Sequence, residues 1–184
     1  MPSMNHFDAV MYSLVEQMAN DPNSSTLREE VTKWVLGKEA SKSKLGYDDD
    51  VDPIEVKPKN YTGGKKLNGS GSFNDLTWKR HEKYLNDSAI VVSSGFVYGK
   101  LVYIVQFEYK DIQPRILKYL NKHLPDGDLP NRYVRYAPFS YMDWKGKPFS
   151  LVYKSEKFDT YKPFIVKNLF TLINNCPPPL TPDF

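Results

Sequence analysis

The sequence predicts an α/β fold in which a central mixed sheet is flanked by helices, and three observations carry that expectation. Two amphipathic helical segments open the chain. A short alternating strand, Ile54-Glu55-Val56-Lys57, follows an acidic turn. Two aliphatic runs come later, Ser88 to Ser94 and Lys100 to Glu108, joined through Gly95 to Gly99. Val91, Val92, Leu101, Val102, Ile104 and Val105 give them the composition of buried strands. The order helix, hairpin, helix, strand sets the alternating segment inside the sheet.

Phe7, Val10, Met11, Leu14 and Met18 recur at helical spacing, and Asp21-Pro22-Asn23 closes that first helix. Thr26-Leu27-Arg28-Glu29 reads as a capping box for a second helix that buries Leu27, Val31, Trp34 and Val35 and stops at Gly37. In that reading Glu29 points away from the apolar stripe and serves the cap. Glu30 flanks the stripe at roughly a right angle, where it either leans over the sheet edge or stands exposed. Tyr61 to Ser72 is glycine-rich and polar, hence a loop. Its glycines and Lys65-Lys66 suit a mobile phosphate-facing loop, and a plain connector fits the composition nearly as well. It lacks the Lys-Ser/Thr ending and the preceding strand context of a nucleotide-binding P-loop.

Ser72 and Asp75 suggest a further capping pair, opening a helix to about Asp87 with Thr77, Trp78, His81, Tyr84 and Leu85 on one side and Lys79 and Lys83 opposite. His81 then reads as a hydrogen-bonded interior histidine rather than a catalytic base. Residues 112 to 123 form an amphipathic helix that tolerates Pro114 in its first turn. Pro125 to Asp128 is a turn. Arg132 to Trp144 interleaves arginines with aromatics, a pattern shared by nucleic-acid recognition segments and ordinary core strands. A last helix spans about Pro163 to Asn174, before Pro177-Pro178-Pro179 ends regular structure.

The 184 residues suit one domain with a sizeable core, and 40% hydrophobic with 14% aromatic residues exclude a disordered chain. The single Cys176 closes no intramolecular disulfide, and no secretory signal pattern opens the chain, so an intracellular, cytoplasmic location is expected. No apolar run reaches bilayer-spanning length. The net charge of +3 is uneven. Residues 1 to 52 carry five Lys/Arg against ten Asp/Glu, a net of −5, while residues 53 to 84 carry seven against three, a net of +4. An acidic patch followed by a basic segment suits a site that holds a cation and attracts a polyanion.

Strand side chains alternate, so Ile54 and Val56 face a core while Glu55 and Lys57 share the opposite side. A hairpin turn over Asp50 to Pro53 sets Asp48 across from Glu55, close enough to hold one cation between them. A one-residue slip would give that place to Asp49 or Asp50. The residue-level alternative is a solvated acidic turn beside an ordinary strand.

Asp48, six residues, Glu55, one residue, Lys57 resembles the D…ExK signature of the PD-(D/E)xK nuclease superfamily. The continuation Pro58-Lys59-Asn60 makes it most similar to a type II restriction endonuclease. One departure is that Gly46-Tyr47 precedes Asp48 where the family has a proline. The resemblance implies a restriction-endonuclease-like core over about residues 26 to 108 of a single nuclease domain, with residues 109 to 184 serving DNA recognition and dimerisation. It further implies Mg²⁺ held by Asp48, Glu55 and the Val56 carbonyl, with Lys57 acting on the attacking water and Glu30 in support. Double-stranded DNA would meet Lys59, Asn60, Lys65, Lys66, Arg132 and Arg135, and a homodimer would cut both strands, leaving 5′-phosphate and 3′-hydroxyl ends. A mismatch-repair nickase or phage nuclease would use the same residues, and a non-catalytic nucleic-acid-binding protein would use only the basic and aromatic segments.

Overall fold

The computed structural model describes residues 6–38, 47, 48 and 52–177. Its central sheet has four strands in the order β1-β3-β4-β6: β1 (Ile54–Tyr61), β3 (Ile90–Val97), β4 (Lys100–Glu108) and β6 (Ser150–Lys154). β1 runs parallel to β3, and the other pairings are antiparallel, so the sheet is mixed. β2 (Gly71–Leu76) and β5 (Val134–Phe139) form a separate antiparallel pair. The helices are α1 (His6–Asn20), α2 (Ser25–Val35), α3 (Trp78–Asn86), α4 (Gln113–His123), α5 (Tyr141–Trp144) and α6 (Lys167–Asn175), with 3-10 turns at Tyr109–Ile112 and Phe158–Phe164. No helix among the described residues is long and apolar enough to cross a membrane.

β1 is an edge strand whose register sets Glu55 beside Val91 and Lys57 beside Ser93. Ile54 and Val56 join Val92 and Ile104 in a small core that Val35 and Leu36 help to cover. On the opposite face lies the larger core, where Phe73, Tyr84, Tyr109, Phe139 and Trp144 pack with the aliphatic strand residues. Pro58 lies two residues beyond Val56, whose N–H turns away from β3. Its missing N–H therefore falls on the outer edge, where no ladder bond is lost.

The second helix is rotated from the face its apolar residues suggest. Arg28, Thr32 and Lys33 are buried, whereas Trp34 is 71% exposed and Leu27, Val31 and Val35 are only partly covered. Polar bonds to distant segments decide this: Thr32 Oγ1 meets Ser94 Oγ at 2.8 Å, and the Arg28 guanidinium donates to the carbonyls of Ala19 and Asp21. Nor does the Thr26–Glu29 capping box form. Ser24 is the N-cap and makes no side-chain cap bond. α1 does form, yet Met11, Leu14, Val15 and Met18 are exposed while Ala19 is buried. That helix rests on the β3–β4 turn, where a Cβ on Gly99 (φ +80°) would lie 2.0 Å from the Glu16 carbonyl oxygen.

The helix expected from Ser72 is a strand up to Leu76, because Phe73 and Leu76 are buried against β5. α3 starts after Thr77, whose hydroxyl accepts from Arg80 N, and its first free N–H groups, on Trp78 and Lys79, donate to the Asp128 carboxylate at 2.7 and 2.8 Å. The 125–128 turn is thus a second cap. The Gly-rich loop is pinned as well. Leu67 bridges to Ile165, and the Trp144 indole donates to the Gly69 carbonyl at 3.0 Å. β6 and the 3-10 turn at Phe158–Phe164 add structure in a stretch where the sequence suggests only the closing helix.

Candidate functional site

The site grows from the outer edge of β1. Asp48 N donates to Ile54 O at 2.9 Å, and Val56 N donates to Asp48 Oδ2 at 2.6 Å. In an extended strand the N–H and C=O of one residue point to the same side, so the Val56 carbonyl shares that edge with the Asp48 carboxylate. Asp49 and Asp50 lie outside the described residues. Asp52 is engaged by the Lys38 ammonium.

Glu55 is only 5% exposed. A buried carboxylate needs partners, and this one has two: Lys57 Nζ on Oε1 at 2.5 Å and the Tyr84 hydroxyl, from α3, on Oε2 at 3.1 Å. The Lys57 ammonium also stands 5.1 Å from the centre of the Phe73 ring. β2 approaches so closely that a Cβ on Gly71 would fall 2.6 Å from Lys57 Cβ. Glycine here lets the β2 backbone hold the Lys57 stem against the sheet. Neither Tyr84 nor Gly71 announces such a role in the sequence, where Tyr84 reads as one more residue of an apolar helix face.

Burial and the neighbouring Glu55 charge raise the Asp48 carboxyl above the usual carboxylate range, against the opposing pull of Lys57 and the Val56 N–H. Glu29 is raised likewise, by burial and then by Asp48, with Lys57 and Lys33 opposing. Glu29, assigned to a cap by the sequence pattern, therefore belongs to the electrostatics of this site. Helical geometry explains the difference. With α2 turned so that Thr32 faces the sheet, Glu29 stands roughly 60° from the buried direction and Glu30 roughly 160°. The Glu30 carboxylate instead pairs with Lys33 Nζ at 2.6 Å, and Lys33 reaches the Asp48 carbonyl at 3.4 Å. Glu30 thus touches the site through Lys33.

Among the described residues, no three His, Cys, Asp or Glu side chains converge as a ready-made metal group. What the edge of β1 offers is two adjacent carboxylates and a carbonyl, all hard oxygen donors. That set suits Mg²⁺, which keeps several of its waters and takes one or two protein carboxylates.

Next to this site is a groove of about 480 Å³ that gathers Lys59, Asn60, Lys65 and Lys66 with Arg115, Tyr136, Ser140 and Asp143. Asn60 is partly occupied in structure: its amide nitrogen donates to Asn20, and its oxygen accepts from Gly99 N. Burial, then Lys57 and Arg28, lower the pKa of the Lys59 ammonium. Arg132 and Arg135 line a different cleft, of about 300 Å³, with His123 and Tyr133. The interleaved segment divides by residue: Phe139, Tyr141 and Trp144 are core, while Tyr133 and Tyr136 are exposed. Arg115 gives no signal in the sequence because it joins the groove only through the packing of α4, whereas Tyr136 belongs to the interleaved segment and is brought to this groove by β5. His81 is buried, its Nδ1 2.9 Å from the Tyr109 hydroxyl.

No protein-family model matches this chain, and no curated protein matches it in sequence.

Proposed function

We propose that the protein is a Mg²⁺-dependent, sequence-specific DNA endonuclease of the PD-(D/E)xK type, a type II restriction enzyme with a restriction-endonuclease-like core. The observation that carries the reading is the edge of β1. There the Asp48 carboxylate sits on the Val56 N–H, beside Glu55, with the Lys57 ammonium 2.5 Å from Glu55. A solvated acidic turn would leave Glu55 and Lys57 in water, whereas their side chains are 7% and 16% exposed.

Asp48, Glu55 and the Val56 carbonyl would hold the cation, and Mg²⁺ in that place supplies charge for the scissile phosphate and lowers the pKa of a bound water. Released from Glu55, the Lys57 ammonium would orient the attacking water and stabilise charge on the phosphoryl group. Tyr84 holds Glu55 in its rotamer throughout. In-line attack on double-stranded DNA leaves 5′-phosphate and 3′-hydroxyl ends. With one such centre per chain and two strands to cut, the active form is a homodimer matched to a palindromic site.

Digestion of a sequenced phage genome with Mg²⁺, with the fragment ends read, is the test. Discrete fragments sharing one terminal sequence are the expected result. Random nicking by a monomer would replace the restriction reading with a nickase, and intact DNA in every divalent cation would end the nuclease reading.

A further inference from the structure

Several cations around the candidate site already have a carboxylate partner. Lys57 has Glu55, Lys33 has Glu30, and Arg115 has Asp143 at 3.9 Å. Lys59 is partly buried, and among the described residues no hydrogen bond or ion pair engages its ammonium. Taking a cation out of water without a counter-charge is costly, so a retained one marks a place for an anion. Lys59 lies two residues beyond Lys57 on the same strand, hence on the same face and roughly 6.6 Å further along. That separation is of the order of the distance between successive phosphates of one nucleic-acid strand.

The groove around Lys59 is preformed. Its loop wall carries Lys65 and Lys66 and is pinned by the Leu67–Ile165 bridge and by Trp144 on the Gly69 carbonyl. Opposite is the β5–α5 wall, where the Tyr136 ring is half exposed and, among the described residues, free of ring contacts, an open aromatic face beside three lysines. Phosphate-binding cations next to an unstacked aromatic ring are the two halves of a nucleotide site.

We propose that this groove is a nucleotide subsite, with Lys59, Lys65 and Lys66 holding the phosphate next to the one addressed by Lys57, and Tyr136 packing against the intervening sugar and base. The role of Lys57 rests on the nuclease reading; occupancy of the groove does not. Thymidine 3′,5′-bisphosphate is the probe, with thymidine and inorganic phosphate as controls, followed by calorimetry and thermal unfolding without divalent cation. The bisphosphate should bind saturably and more tightly than either control. Lys59→Gln and the double variant Lys65→Gln/Lys66→Gln should each weaken it about tenfold or more, as lost charge-assisted hydrogen bonds do. Lys59→Gln should melt no lower than the native chain and lose the rise in Tm that the bisphosphate gives.

Absence of saturable binding, equal affinity for inorganic phosphate, or unchanged affinity in Lys59→Gln would overturn the subsite. A chain that binds the probe and cuts no DNA keeps the subsite and loses the nuclease reading. One that cuts DNA and ignores the probe does the reverse.

Discussion

Tyr84→Phe removes one oxygen atom from the support of Glu55 and little else. The ring keeps its neighbours, with Tyr109, Phe73 and Tyr47 at centroid distances of 4.8, 5.5 and 5.5 Å. What disappears is a donor 3.1 Å from a carboxylate that is almost wholly buried. Hydrogen bonds to charged groups contribute about 1.5–3 kcal/mol, and Lys57 still neutralises the other oxygen, so the low end, about 1.5 kcal/mol, is expected. For a chain of this size that is roughly 3–6 °C in Tm. Tyr84→Ala, which also empties the ring's space, should cost about 3–5 kcal/mol. Urea unfolding gives the stability. Single-turnover cleavage gives the second readout, since a Glu55 free to leave its rotamer should cut about 10- to 100-fold more slowly with DNA affinity unchanged. A Phe variant equal to the native chain in both would refute the role assigned to the hydroxyl.

Other expectations follow from the same geometry. Glu29→Gln should slow cleavage about tenfold or more, as loss of a supporting carboxylate does, whereas Glu30→Gln should stay close to native; the reverse order would mean that α2 is not turned as described. Asp128→Ala removes the distant cap of α3 and should cost about 1 kcal/mol in urea unfolding, with no change indicating that water serves those N–H groups equally well. Burial lowers the His81 pKa from 6.5, with Glu82 opposing, so the unfolded chain takes up the proton first. Its stabilising contribution is therefore present above pH 6.5 and lost as the pH falls below it. Urea midpoints across that range should slope less in His81→Gln, and parallel slopes would count against it.

The sheet was legible because β3 and β4 carry aliphatic runs, Ile90 to Val92 and Leu101 to Val105 with one tyrosine, whose composition marks them as buried strands. That Glu55 and Lys57 share a face was legible too, because a two-residue period needs no tertiary information. β2 was not. Ser72, Asn74 and Asp75 give it a polar surface, and its partner β5 lies far along the chain, so a local capping pattern looked stronger than a strand. The face of α2 was misleading for a related reason. Its apolar residues pointed one way, and hydrogen bonds to Ser94 and to the end of α1 turned it another, which brought Glu29 rather than Glu30 toward Asp48. The Tyr84 bond to Glu55 joins α3 to β1 across the core and leaves no periodic trace in either.

Everything proposed for the function depends on the Asp48, Glu55 and Lys57 cluster hydrolysing DNA. Single-turnover cleavage of supercoiled plasmid with Mg²⁺, run side by side for the native chain and Glu55→Gln at equal bound enzyme, measures this. The native chain should yield full-length linear DNA, with both strands broken together, and the variant should fall about 10²-fold or more in rate while still binding. Near-native turnover in Glu55→Gln, or no Mg²⁺-dependent cleavage by the native chain on any DNA it binds, would contradict it.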